Sequence, residues 1–132
     1  MTRFFRVLLV EDTPIAQIIQ KNQMINHGCE VETADDGNIA LKMANENAYD
    51  LIMMDIGLGD GPDGFEVTRL IKEQSAINKE TPVVAVTSHD SIEYKQKAIE
   101  VGMVEYFNKP FNSADAKKII DFIKKTKGCR DE

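Results

Sequence analysis

Where the apolar runs of this chain stop, residues able to handle phosphate and metal stand in their place. Residues 7–10 run into Glu11 and Asp12, residues 51–54 into Asp55, and residues 83–86 into Thr87 and Ser88. Lys109 stands two residues past a short strand candidate, 104–107. Brought together, the three carboxylates would repel one another, and either a raised pKa or a bound cation relieves that repulsion. Mg²⁺ fits the second remedy, because it takes oxygen ligands, keeps waters and is held by one or two carboxylates plus a substrate phosphate. Mn²⁺ accepts the same ligand type. Lys109 offers a compact positive charge to Asp55 or to a phosphoryl oxygen, and Thr87 a hydroxyl donor. A carboxylate nucleophile with a divalent cation, an ammonium and a hydroxyl makes a phosphoryl-transfer site in which Asp55 accepts the group as an acyl phosphate. A single Asp before Gly57, Gly59, Gly61, Pro62 and Gly64 would ordinarily serve a turn or cap. The other strand ends weigh against that reading here.

The elements that must position these residues follow from pattern. Unbroken apolar runs suit strands buried on both faces, giving strands over 51–54 and 83–86 and, led in by Phe5-Arg6, over 5–10, with a partly alternating one over 29–34 and a short one over 104–107. Thr13-Pro14 opens a first helix, with Thr as N-cap and Pro at the first helical position. Ile15, Ile18, Ile19 and Ile25 mark its apolar stripe, and Gly28 ends it. Asp35-Asp36-Gly37 turns into a second helix striped by Ile39, Ala40, Met43, Ala44 and Ala48. Phe65, Val67, Leu70 and Ile71 mark a third helix that fades near Asn78, and Ile92, Ala98, Ile99 and Val101 a fourth that stops at Gly102. Asn112-Ser113 caps a fifth, with Ile119, Ile120 and Ile123 inward and Lys117, Lys118, Lys124, Lys125 and Lys127 on a solvated face. Five strand–helix alternations predict an α/β doubly wound fold, a parallel sheet covered by helices on both faces. In such a sheet the strand ends share one rim, where ligands bind.

Bulk properties narrow the function. The 132 residues suit one domain. A net charge of −6 argues against nucleic-acid binding through this domain, since phosphate neutralisation needs a basic face. Cys29 and Cys129 lack C-x-x-C spacing and read as free thiols of a reducing compartment. No stretch approaches the roughly 18 apolar residues of a membrane span, and the N-terminal apolar run is too short for a secretion signal. The expectation is a cytoplasmic protein with no direct membrane contact.

The chain resembles a response-regulator receiver domain (CheY-like) over nearly its full length, read as a single domain 1–132. Val7-Leu8-Leu9-Val10-Glu11-Asp12, Met54-Asp55-Ile56-Gly57-Leu58, Val86-Thr87-Ser88 and Asn108-Lys109-Pro110-Phe111 match the family's pattern in order and spacing. Each fragment is weak alone; the ordered set is specific. The resemblance implies a (βα)5 flavodoxin-like three-layer sandwich with strand order 2-1-3-4-5. It implies Asp55 as phosphoacceptor, Asp12 as a direct Mg²⁺ ligand, Glu11 as a ligand mainly through water, and Gly57 as a ligand through its backbone carbonyl. Thr87 would bond the phosphoryl group and Lys109 pair with it. Tyr106 would be the switch aromatic that turns inward as Thr87 shifts, and the Lys109-Pro110 bond would be cis. Phosphoryl groups would come from a histidine kinase or histidine phosphotransfer domain. The domain would catalyse its own phosphorylation and slow hydrolysis without conventional turnover. Output would pass to a protein at the face of the fourth helix, fifth strand and fifth helix, from a monomer or weak dimer. Met54-Asp55-Ile56-Gly57-Leu58 and Gly64-Phe65-Glu66-Val67-Thr68 are similar to receivers of hybrid sensor histidine kinases.

The loop 57–64 is one residue longer than the family's usual loop. Two other classes stay open at this point. A metal-dependent aspartyl-nucleophile phosphatase of the haloacid-dehalogenase type needs an acid two residues after its nucleophile, where this chain has Gly57. A degenerate receiver would act only as an interaction module. His27 reads as a helix C-terminal residue, His89 as a neighbour of the site's mouth, and Met24, Met43, Met53, Met54 and Met103 as core filler.

Overall fold

A computed structural model describes residues 4–58 and 61–127. Strands β1 (Phe5–Val10), β2 (Cys29–Ala34), β3 (Leu51–Met54), β4 (Val83–Thr87) and β5 (Glu105–Asn108) alternate with helices α1 (Pro14–Asn26), α2 (Gly37–Glu46), α3 (Gly64–Gln74), α4 (Ile92–Glu100) and α5 (Ser113–Lys127). The sheet is parallel, in the expected order β2-β1-β3-β4-β5. Because side chains alternate across a strand, the central strands feed two separate cores. Leu8, Val10, Ile52, Met54, Val83 and Ala85 pack with Ala40 and Ala44 of α2, Phe65, Val67 and Ile71 of α3, and Ala98 of α4. Val7, Leu9, Leu51, Met53, Val84 and Val86 pack with Met24 of α1 and Ala116, Ile119, Ile120 and Ile123 of α5. Register pairs Val10 with Met54 and Met54 with Ala85, so the residues that follow these strands emerge on one rim.

Several helix faces differ from the expected ones. In α1 the buried side chains are Gln20 and Met24, while Ile15, Ile18, Ile19 and Ile25 are exposed, Ile15 by 72%. The inward stripe runs at four-residue spacing through Ala16, Gln20 and Met24, one turn apart on one face. In α4 only Ala98 is fully buried, and Ile92 and Ile99 face outward. Ile39 of α2 is exposed, and Ala48 lies past that helix's end. Thr13 sits at the N-cap of α1, but its side chain makes no capping bond; instead its backbone N–H donates to Glu11 Oε2 at 3.1 Å. Helix α3 stops at Gln74, ahead of Asn78. There the buried Asn78 amide donates to the carbonyls of Ala44 and Asn47 and accepts from the Tyr49 N–H, tying the segment after α3 to the end of α2 and its connection to β3. Asn112 caps α5 reciprocally with Asp115. Cys29 is a buried free thiol whose pKa burial pushes up to about 11; Cys129 lies outside the described residues, as do Gly59 and Asp60 of the loop 57–64. Among the described residues no helix is long and apolar enough to cross a membrane.

Candidate metal and phosphoacceptor site

The rim assembles the predicted residues. Asp55 follows β3 directly and is only 5% exposed, its backbone N–H held by the Val10 carbonyl. Asp55 Oδ1 accepts from the Gly57 N–H at 3.3 Å, and Oδ2 from Lys109 Nζ at 3.3 Å. Lys109 directly follows β5, and the Lys109-Pro110 bond is cis. Its Nζ also lies 2.8 Å from Oε1 of the fully buried Glu11. Glu11 Oε1 accepts a further bond from the Gln20 side-chain amide at 2.9 Å. Asp12 is exposed beside them. Glu11, Asp12 and Asp55 each offer a carboxylate oxygen within 4.8 Å of the others.

Of the three carboxylates, Glu11 and Asp55 share the one ammonium. Burial, followed by the negative charge of Glu11, pushes the Asp55 carboxyl up to about 6. Burial pulls the Lys109 ammonium down, but its bonds and attraction to Glu11 and Asp55 outweigh that and leave its pKa raised. The two directions are compatible. The lysine is doubly compensated, whereas Asp55 holds only part of one positive charge. A small, all-oxygen donor set with surplus negative charge suits Mg²⁺.

Thr87, the last residue of β4, is fully buried, and its Oγ1 accepts the His89 N–H at 3.3 Å. The half-buried Tyr106 donates its hydroxyl to the His89 carbonyl at 2.8 Å, and Asn108 donates to the same oxygen. His89 thus bridges Thr87 and Tyr106 through its backbone. Its ring leans on Tyr94, with centroids 4.6 Å apart, and a Cβ on Gly57 would lie 3.4 Å from His89 Nε2. His27 is at the C-cap of α1, its ring bonded to the Gln23 carbonyl and remote in sequence from the rim elements. Of the participating residues, Gln17, Gln20 and Asn108 were not legible as such. Gln17 bonds the Glu11 carbonyl and Asp35, and its only sequence signal, with that of Gln20, is an amide at helical spacing behind the acidic pair.

Comparison with known proteins agrees with this geometry. The family model described as response regulator receiver domain matches residues 7–121. A probable histidine kinase 2 of Oryza sativa subsp. indica is 37% identical over 132 residues, covering 89% of this chain and 12% of that protein. The sensor histidine kinase RcsC of Salmonella typhimurium is 33% identical, covering 79% of this chain and 10% of that protein. The chain therefore spans only about a tenth of the length of such relatives. Among solved structures, the chemotaxis protein CheY4 of Vibrio cholerae superposes with a TM-score of 0.81 at 33% identity, covering 92% of this chain and 99% of that one. The receiver domain of sensor histidine kinase PA1611 from Pseudomonas aeruginosa, with magnesium coordinated in its active-site cleft, has a TM-score of 0.80 at 27% identity and covers 96% of this chain and 99% of that one. With its fold, its rim and these matches in agreement, the chain belongs to the response regulator receiver domains.

Proposed function

We propose that this domain takes a phosphoryl group onto Asp55 from a phosphohistidine donor, and that the new charge resets a protein-binding surface. The observation that carries the reading is the buried Asp55 carboxylate, bonded to Lys109 and sharing its rim with Glu11 and Asp12. In the transfer a P–O bond forms to Asp55 as the P–N bond to the donor imidazole breaks. Asp12, Glu11, Asp55 and the Gly57 carbonyl would hold Mg²⁺. When bound, that ion supplies positive charge against the phosphoryl oxygens. Lys109 follows the added charge away from Glu11. Thr87 turns its hydroxyl to the phosphoryl group and releases the His89 N–H. The His89 backbone then passes the change to the Tyr106 hydroxyl and to α4. This is a local charge event biasing a two-state element.

Two grooves support the assignment of partners. One, of about 350 Å³, is lined by Ile15, Ala16, Ile19, Gln20, Pro110 and Phe111 and shares Lys109 with the site, which suits the donor: a histidine kinase or a histidine phosphotransfer domain. The other, of about 380 Å³, is lined by Ala98, Ile99, Met103, Val104 and Tyr106 and suits the downstream partner on the α4–β5 side. Replacing both Ile15 and Ile19 with Glu is expected to slow transfer from a histidine-phosphorylated protein about tenfold, as loss of an apolar anchor does, while the rate with a small phosphoryl donor stays unchanged. Equal rates with the protein donor would remove α1 from the docking surface.

The test of the function is the intact mass of the protein after incubation with a small phosphoryl donor. One phosphoryl group should appear with Mg²⁺ and not with chelator. If neither an adduct nor donor consumption is seen with metal, the domain is a degenerate receiver. Steady turnover of phosphomonoesters would instead make it a phosphatase.

A further inference from the structure

Glu11 is a fully buried carboxylate whose hydrogen bonds are supplied from three directions. Lys109 Nζ donates to Oε1 from the β5 side at 2.8 Å, Gln20 Nε2 donates to the same oxygen from α1 at 2.9 Å, and the Thr13 N–H donates to Oε2 at 3.1 Å. Gln20 is itself only 2% exposed, in the middle of a helix whose isoleucines face outward. An amide takes an inward position while apolar side chains beside it do not, and burying an amide is costly unless it is hydrogen-bonded. Packing alone does not account for that choice of residue.

We propose that Gln20 is a positioning residue for the phosphoacceptor site: it holds the Glu11 carboxylate in place and keeps it satisfied when Lys109 leaves it. The inference rests on the phosphoacceptor reading above. Lys109 lies closer to Glu11 than to Asp55, so pairing with a phosphoryl group requires it to loosen its hold on Glu11. With the ammonium as the sole donor to Oε1, its departure would leave that oxygen of a buried anion bare, a state disfavoured by desolvation. The Gln20 amide is a neutral donor that stays behind. It fixes the direction of the carboxylate without drawing on the phosphoryl charge, and without competing with Mg²⁺ for the carboxylates, as a second cation would. Partners of this kind, bonded to a metal-binding carboxylate from behind, commonly change metal affinity or activity by about 10–100-fold when removed.

The experiment compares Mg²⁺ affinity, followed by amide NMR shifts of the wild-type protein and three variants. Gln20→Met keeps the length and removes the donor; its affinity is expected to fall about tenfold. Gln20→His returns an N–H donor at similar reach and is expected to recover to within about threefold of wild type, again on the scale of such partners. Ser75→Ala removes a buried hydroxyl bonded to the Ala44 carbonyl at the opposite end of α3, and is expected to lose stability with unchanged Mg²⁺ affinity. Wild-type affinity in Gln20→Met, or equal losses in the Met and His variants, would overturn the positioning role. Should Gln20→Met not fold, the wild-type protein decides. Mg²⁺ should shift the Gln20 side-chain amide signals, and unmoved signals overturn the inference. A wild-type protein that does not bind Mg²⁺ would overturn the phosphoacceptor reading itself.

Discussion

Replacing Asp55 with Asn is expected to abolish the phosphoryl adduct and, in metal-free protein at pH 7, to stabilise the fold. The first effect follows from chemistry: the carboxylate oxygen is the nucleophile, and an amide oxygen cannot take its place at a useful rate. Intact mass after donor and Mg²⁺ treatment reads it directly, and an adduct surviving in the variant would place the acceptor elsewhere. The second effect follows from charge. The Asp55 carboxyl is raised from 3.8 to about 6 in the folded protein. A carboxyl raised on folding binds its proton more tightly in the native state. Its contribution is fully present below the unfolded pKa and is lost as pH rises through the folded one. At pH 7 the wild-type protein therefore bears the cost of an ionised Asp55, which Asn does not bear. Allowing for screening at the rim, the difference is on the order of 1–2 kcal/mol. Denaturant unfolding with chelator should show the variant ahead at pH 7 and the gap closing between pH 6 and 4. A variant less stable than wild type at pH 7 would mean that the Lys109 pairing outweighs burial and the repulsion from Glu11.

Gly64→Ala is expected to be the most damaging single-methyl change near the site. A Cβ on Gly64 would lie 2.2 Å from the Asp55 carbonyl oxygen and 2.8 Å from Ile56 Cα. Both are backbone atoms, so no side chain can swing away. The Gly64 N–H also donates to the Ile56 carbonyl, which pins the start of α3 against the end of β3. Overpacking of this kind costs about 3 kcal/mol, enough to lower the thermal midpoint by roughly 10 °C in a domain of this size. The strain falls on Asp55, so the phosphorylation rate of whatever remains folded should fall too. Gly57→Ala is the contrasting case: its Cβ would meet only the His89 ring at 3.4 Å. A change within about 0.5 kcal/mol is expected there, as for an ordinary surface site. Thermal unfolding of the two variants side by side checks the pair, and equal midpoints would refute the close-approach account.

The contrast between these glycines shows what a sequence exposes. Both stand in a run of turn residues and look alike there; only the approach of another segment's backbone separates them, and that contact is non-local. Asp55, Thr87 and Lys109 were legible because each interrupts or follows an apolar run, and strand ends of a parallel sheet must share a rim. The sheet order and both layers of helices were likewise readable from alternation and resemblance. The isoleucines of α1 were misleading because hydrophobicity reports a preference for burial, not which neighbour is available. Here α1 packs through Ala16, Gln20 and Met24 and leaves its bulkiest side chains outside. Gln20 was invisible for the converse reason: an amide in a helix reads as surface until a buried carboxylate is found beside it. Asn78 likewise reads as loop, although its buried amide ties that loop to the end of α2.

The sheet divides the interior into two apolar clusters that meet only through its strands. The groove proposed for the donor belongs with the cluster of α1 and α5, and the groove proposed for the recipient with that of α4. Under that reading, the choice of donor and the choice of recipient are written on opposite sides of a partition. A substitution in one groove meets first the cluster on its own side of the sheet, and reaches the other only through the strands that feed both. Only the rim is common to both, and there a change is felt by both partners at once.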